Sequence, residues 1–370
     1  MGALALAVLL AAGPPAPRTP AGLETRLAPA PVDLYTILWH HLFEGPADPL
    51  AGEPIEPGGA SVDPASGLVV VGTRDGWLHA IGPDGRVAWE LRAEGGFSAP
   101  PAIDGDAVYA GSSDGSLYAV ELKTGKVRWR YQAKEELGTR PAVAGGTVFV
   151  ASLADTLYAV DARTGAWKWH HRREPRGGFT IRGAAWPQAG DGTVYAGYSD
   201  GFVAALDPDT GQVRWERQVA PPGDHLDVDA LVLDGTRLYA AAFSGAVLAL
   251  EASTGETVWQ FKAPGACRLA VGRGLVVAVT PNGVYGLAAG GGQAAWSAPL
   301  GGAPGGNPVM AGKWVLVPAI EGGLRFIEAA SGRTLRVLDP GTGVTATPGV
   351  GGGRVYVISN GGDLFALELS

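Results

Sequence analysis

A phrase of eleven residues recurs along the chain and limits what it can fold into. Residues 119–129 read Ala-Val-Glu-Leu-Lys-Thr-Gly-Lys-Val-Arg-Trp, and 159–169, 205–215 and 249–259 repeat its acid, Thr, Gly and Trp at the same offsets. Successive tryptophans, from Trp89 through Trp129, Trp169, Trp215 and Trp259 to Trp296, lie 37 to 46 residues apart. That is the length of one four-stranded propeller blade. A unit this short cannot bury its own apolar face, so copies must stack on one another.

The hairpins give an independent count. Asp75-Gly76, Asp114-Gly115, Ala154-Asp155, Asp200-Gly201, Ser244-Gly245, Asn282-Gly283, Gly322-Gly323 and Gly361-Gly362 mark eight turns between alternating apolar runs. Apolar alternation after each turn predicts a strand with one face buried against a neighbouring blade. Seven turns lead on to an outer strand carrying tryptophan, with Arg336 in its place in the seventh. The eighth unit lacks an outer strand, whereas Trp39 lies in an apolar run, 35–43, with no hairpin before it. The arithmetic predicts an all-β, eight-bladed β-propeller of four-stranded antiparallel blades, closed by an N-terminal strand pairing with the C-terminal blade. The consensus weakens in blades six and seven.

Composition narrows function. With 58 glycines and 28 prolines, the chain suits short strands and tight turns rather than helices. A net charge of −8 provides no basic field for nucleic acid. The one cysteine, Cys267, precludes an internal disulfide and a multi-cysteine metal site, and reads as small buried filler. Residues 1–13, apolar from Ala3 to Ala12, read as a signal peptide, and 14–34 as a disordered Pro-rich linker before the propeller at 35–370.

The phrase Ala-x-Asp/Glu-x-x-Thr-Gly-x-x-x-Trp resembles the tryptophan-docking motif of the PQQ-like (quinoprotein-type) β-propeller repeats. The resemblance implies tryptophans packed between blades beside a turn glycine. Regular spacing in every blade also favours packing over an exposed stacking platform for sugars. Within these repeats, the segment Phe179-Thr180-Ile181-Arg182-Gly183-Ala184-Ala185-Trp186-Pro187 is similar to the Leu-Ser-Leu-Arg-Gly-x-x-x-Pro segment of the outer-membrane assembly factor BamB family. That resemblance implies a non-enzymatic periplasmic scaffold, with Phe179, Ile181 and Arg182 touching the POTRA domains of an outer-membrane barrel-assembly subunit. Alternating Phe179 and Ile181 beside a planar arginine also have the make-up of an interface hot spot. Upstream, His170, His171, Arg172, Arg173 and Arg176 offer positive charge to an acidic surface.

The resemblance also implies what is missing. The quinoprotein dehydrogenases hold PQQ and calcium beneath long insertions and a cysteine pair; the units here are nearly bare and there is one cysteine, so no cofactor is expected. Leu10-Ala11-Ala12-Gly13 approaches a lipobox, but Pro14 stands where the lipidated cysteine would be, which predicts no direct lipid anchor. A monomer is expected. Asp224, His225, Asp227 and Asp229 lie within one stretch that could hold a divalent cation; alternatively, strand alternation points Asp227 and Asp229 to one solvated or hydrogen-bonded face near the axis. Asp207, Asp209, Thr210 and Gly211 read as turn chemistry. His40, His41, His170 and His171 lack spaced ligand partners and read as surface residues. The alternative functions are a PQQ-dependent dehydrogenase-like enzyme and another ligand-binding secreted propeller whose partners are unrelated to barrel assembly.

Overall fold

The recurring Asp-x-x-Thr-Gly phrase has a local cause. Asp161 Oδ1 accepts from the Thr164 amide at 2.8 Å, from its hydroxyl at 2.7 Å and from the Arg163 amide at 3.2 Å. Asp207 does the same for Asp209 and Thr210. Each acid therefore caps the turn that follows it. The next residue must then reverse the chain in the left-handed region, and Gly125, Gly165, Gly211 and Gly255 do so with φ of 71° to 72°.

These turns join third to outer strands in a computed structural model that describes residues 34–43, 56–173, 185–220 and 226–370. The signal-peptide expectation and the linker expectation as far as residue 33 lie outside that range; Leu34, the last residue assigned to the linker, is buried and its carbonyl accepts from the Ser370 amide at 3.1 Å. The described residues form thirty-two strands in eight four-stranded antiparallel sheets. Seven sheets are simple meanders in chain order, at 59–92, 102–132, 142–172, 188–218, 228–262, 268–298 and 309–338. The eighth combines Gly349–Gly351, Arg354–Ile358 and Asp363–Leu369 with Tyr35–Leu42 on its outer side. Tyr35 pairs with Leu369 and Leu42 with Asp363, so the predicted closing strand is present.

The core lies between blades. Third strands such as Ser116–Glu121 and Thr156–Asp161 are buried along almost their whole length. Alternation predicted one buried face; both are covered, because each blade has a neighbour on either side. Outer strands do alternate, as in Val127–Gln132.

Seven tryptophans join neighbouring blades. The indole Nε1 of Trp39, Trp89, Trp129, Trp169, Trp215, Trp259 and Trp296 donates to a carbonyl of the next blade at 2.7 to 3.1 Å. Each ring lies against the next blade's turn glycine. A Cβ on Gly165 would lie 2.6 Å from Trp129, and one on Gly85 2.9 Å from Trp39. The repeat thus couples a turn that needs glycine to a ring that needs the space glycine leaves. Trp89, Trp169, Trp259 and Trp296 are buried, as packing requires and a sugar platform does not.

Candidate partner-binding face

A four-stranded meander puts alternate turns on opposite faces of the ring. One face carries the hairpins between second and third strands, together with the connections from one blade's outer strand to the next blade's inner strand. Phe179, Ile181 and Arg182 belong to the connection from blade three to blade four and lie outside the described residues, as do Arg176, Asp224 and His225. The residues at which that connection leaves and rejoins the ring are described.

At its departure stands Arg173. Its Nε donates to Asp200 Oδ2 at 2.8 Å and its Nη1 to Glu216, both of blade four. Its guanidinium lies 4.4 Å from the Phe202 ring centre and 5.8 Å from that of Tyr198. The side chain is 14% exposed and that of Asp200 only 3%, so this pair is desolvated and sensitive to the loss of either partner. Burial works against the Arg173 charge, but Asp200 and Glu216 outweigh it and hold its pKa above the usual value. Beside it, Asp155 adopts a φ of 62° and accepts from the Ser199 amide at 3.0 Å and from the Ser199 hydroxyl. Burial pushes the Asp155 carboxyl up, and the Ser199 bonds oppose that shift.

The preceding residues face both neighbours. Arg172 Nη1 donates to Glu135 at 2.9 Å, and Glu135 also accepts from Ser152 and Tyr158. His171 is only partly exposed, and its Nδ1 is 2.7 Å from the Tyr198 hydroxyl, so it is not simply a surface residue. His40 and His170 are exposed as expected. Where the connection rejoins, Ala185 is 1% exposed and packs against Gly197 of blade four. Gln188 Nε2 donates to the Trp186 and Pro187 carbonyls at 3.2 Å, and its Oε1 accepts from the Leu233 amide.

The Asp227–Asp229 stretch opens blade five. The register slips between Val228 and Ala230, so Asp229 is a bulged residue and strict alternation between the two acids fails. Burial pushes the Asp229 carboxyl up to about 7, with Arg268 opposing and Asp227 adding to the shift. Among the described residues, no group of three His, Cys, Asp or Glu side chains is placed to hold a metal ion. Cys267 is partly exposed rather than fully buried; its thiol lies 3.7 Å from the Val279 carbonyl, and burial raises its pKa.

The Arg173 clamp and the left-handed Asp155 were not identified from the sequence. One signal was present: Ala154-Asp155 is a hairpin without the glycine that the other seven carry.

The family model described as outer membrane protein assembly factor BamB matches residues 36–137, 74–298 and 280–370. The chain belongs to the BamB family. A BamB from Pseudomonas aeruginosa is 29% identical over 209 residues, covering 51% of this chain and 53% of that protein. The chain thus spans about half the length of the first curated BamB relatives it matches. The crystal structure of BamB from Moraxella catarrhalis superposes with a TM-score of 0.78 at 22% identity, over 90% of this chain and all of that one. The fold alone is shared more widely. Quinohemoprotein alcohol dehydrogenase from Comamonas testosteroni superposes with a TM-score of 0.72 at 17% identity, over 91% of this chain and 77% of that one.

Proposed function

We propose that this chain is a non-enzymatic scaffold of the periplasm or cell envelope that assists outer-membrane protein assembly by holding the POTRA domains of a barrel-assembly subunit. The observation that carries this reading is the BamB family match across the propeller, from residue 36 to residue 370. The contact residues are Phe179, Ile181 and Arg182. Their support is the BamB-like spacing of Arg182, Gly183 and Pro187, and a connection whose two described ends are both fastened to blade four. An apolar pair supplies burial, and a planar, permanently charged guanidinium supplies directional hydrogen bonds to an acidic surface.

The experiment is capture from an envelope extract with wild type and Arg182→Glu as bait. Wild type retains the barrel-assembly subunit and the variant loses it; equal capture by both rejects the assigned contact. The enzymatic alternative is checked with the same purified protein, through quinone absorbance and dye-linked alcohol oxidation.

A further inference from the structure

We propose that the charged seam between blades three and four, built from Asp155, Arg173, Ser199, Asp200 and Glu216, is a positioning device that sets the direction in which the partner-binding connection leaves the ring. This rests on the function proposed above and adds residues that touch no partner themselves.

The first observation is a backbone departure. In the corresponding hairpins of blades one, two, four and eight, Gly76, Gly115, Gly201 and Gly362 supply the left-handed residue, with φ of 82° to 94°. Blade three has Asp155 there instead, at 62°. A side chain in this region is disfavoured unless its surroundings impose it. Here the carboxylate reaches across the seam to both the amide and the hydroxyl of Ser199.

The second observation is the arrangement of charge around Arg173. Asp200, next to Ser199 in the blade-four hairpin, takes its Nε, and Glu216, on blade four's outer strand, takes its Nη1. Phe202 and Tyr198 lie against the guanidinium. A buried ion pair adds little stability over apolar residues of the same shape, but it has strong geometric preferences. The backbone at residue 173 is thereby referenced to blade four, which also receives the connection at Ala185 and Gln188. Fixing both ends to one body lowers the ordering cost that binding would otherwise incur.

The test uses the full chain, with Asp155→Gly as the principal variant because it restores the residue that other blades tolerate. Arg173→Lys is the second variant, keeping the charge and losing the fork. The probe is the purified POTRA region of the barrel-assembly subunit from the same cell. Asp155→Gly is expected to melt within about 2 °C of wild type, bind the probe about tenfold more weakly, and exchange amide hydrogens faster in peptides covering 171–190. Arg173→Lys shifts binding and exchange the same way. Wild-type affinity and exchange in both variants, with binding lost in Arg182→Glu, overturns the positioning role and leaves the contact site standing. Wild-type binding by Arg182→Glu rejects the contact site; exchange then decides alone, faster exchange in 171–190 supporting the positioning role and unchanged exchange overturning it.

Discussion

The amide of Glu56 donates to Asn360 Oδ1 at 3.2 Å, across 304 positions of chain. The same oxygen accepts from the Thr345 amide at 3.1 Å, and Asn360 Nδ2 donates to the Ile320 carbonyl at 3.2 Å. From the hairpin of blade eight, one side chain therefore ties together the entry to blade one, the connection from blade seven to blade eight and the hairpin of blade seven. Asn360 is 5% exposed, so truncating it strands backbone groups that water reaches poorly. Asn360→Ala is expected to lower the unfolding free energy by about 2 to 4 kcal/mol, read from the denaturant midpoint at an unchanged slope. A loss below about 0.5 kcal/mol would mean that the ring is closed elsewhere.

Glu56 itself predicts a pH dependence. Burial pushes its carboxyl from 4.5 up to about 7, although the Arg74 and Gly58 amides that it accepts from pull the other way. Nearby Asp75 adds to the rise and the Arg74 charge opposes it. Because the folded-state pKa exceeds the unfolded one, the proton is held more tightly in the folded chain. That stabilisation is complete below about pH 4.5 and is lost as the pH rises through about 7, a swing of about 3 kcal/mol. Asp229 acts in the same direction. Glu56→Gln should flatten the stability profile between about pH 5 and pH 8 and raise stability at the alkaline end. Denaturant titrations across that range check it; an unchanged slope would show that Glu56 is already ionised throughout.

Turn glycines divide into two kinds, and substitution separates them. Gly165 has φ of 71° and Trp129 within 2.6 Å of where a Cβ would sit, whereas Gly145 has φ of 57° and open space. Gly145→Ala carries only the backbone term, about 1 kcal/mol. Gly165→Ala adds displacement of a packed indole and should cost about 2 to 4 kcal/mol. Equal losses in thermal unfolding of the two variants would remove the tryptophan-docking account of the repeat.

The architecture was legible because packing is periodic. Trp39 without a hairpin and an eighth hairpin without a tryptophan were enough to place the closing strand. What escaped was a departure from the period: the backbone bond from the Arg173 amide to the Asp155 carbonyl recurs as Ala133 to Gly115 and Val219 to Gly201, but in blade three an acid and an arginine hold those positions, and Arg173 meets Asp200 across the seam. The bulge at Asp229 was hidden for the same reason, since alternation is read from sequence by assuming that no residue is inserted. Phe179, Ile181 and Arg182 became visible through likeness to a family segment rather than through any period of their own.

Arg336 gives the sharpest test of the docking account. It pairs with Phe326 in the register that Trp129 keeps with Ala119, yet it is arginine. The structure supplies a reason. In blade eight, the third and outer strands come from opposite ends of the propeller sequence, Asp363–Leu369 and Tyr35–Leu42. No Thr-Gly turn joins them, so a tryptophan on blade seven would find no glycine to lie against. Arg336 instead places its guanidinium 5.9 Å from the Tyr35 ring, which stacks on Phe326 at 4.9 Å. Arg336→Trp, although it restores the repeat consensus, should change stability by no more than about 1 kcal/mol or reduce it. Trp296→Ala, one blade earlier, should cost about 3 to 5 kcal/mol. A gain of about 2 kcal/mol or more from Arg336→Trp in equilibrium unfolding would show that the indole stabilises a seam without its turn, and that the glycine is not what the tryptophan requires.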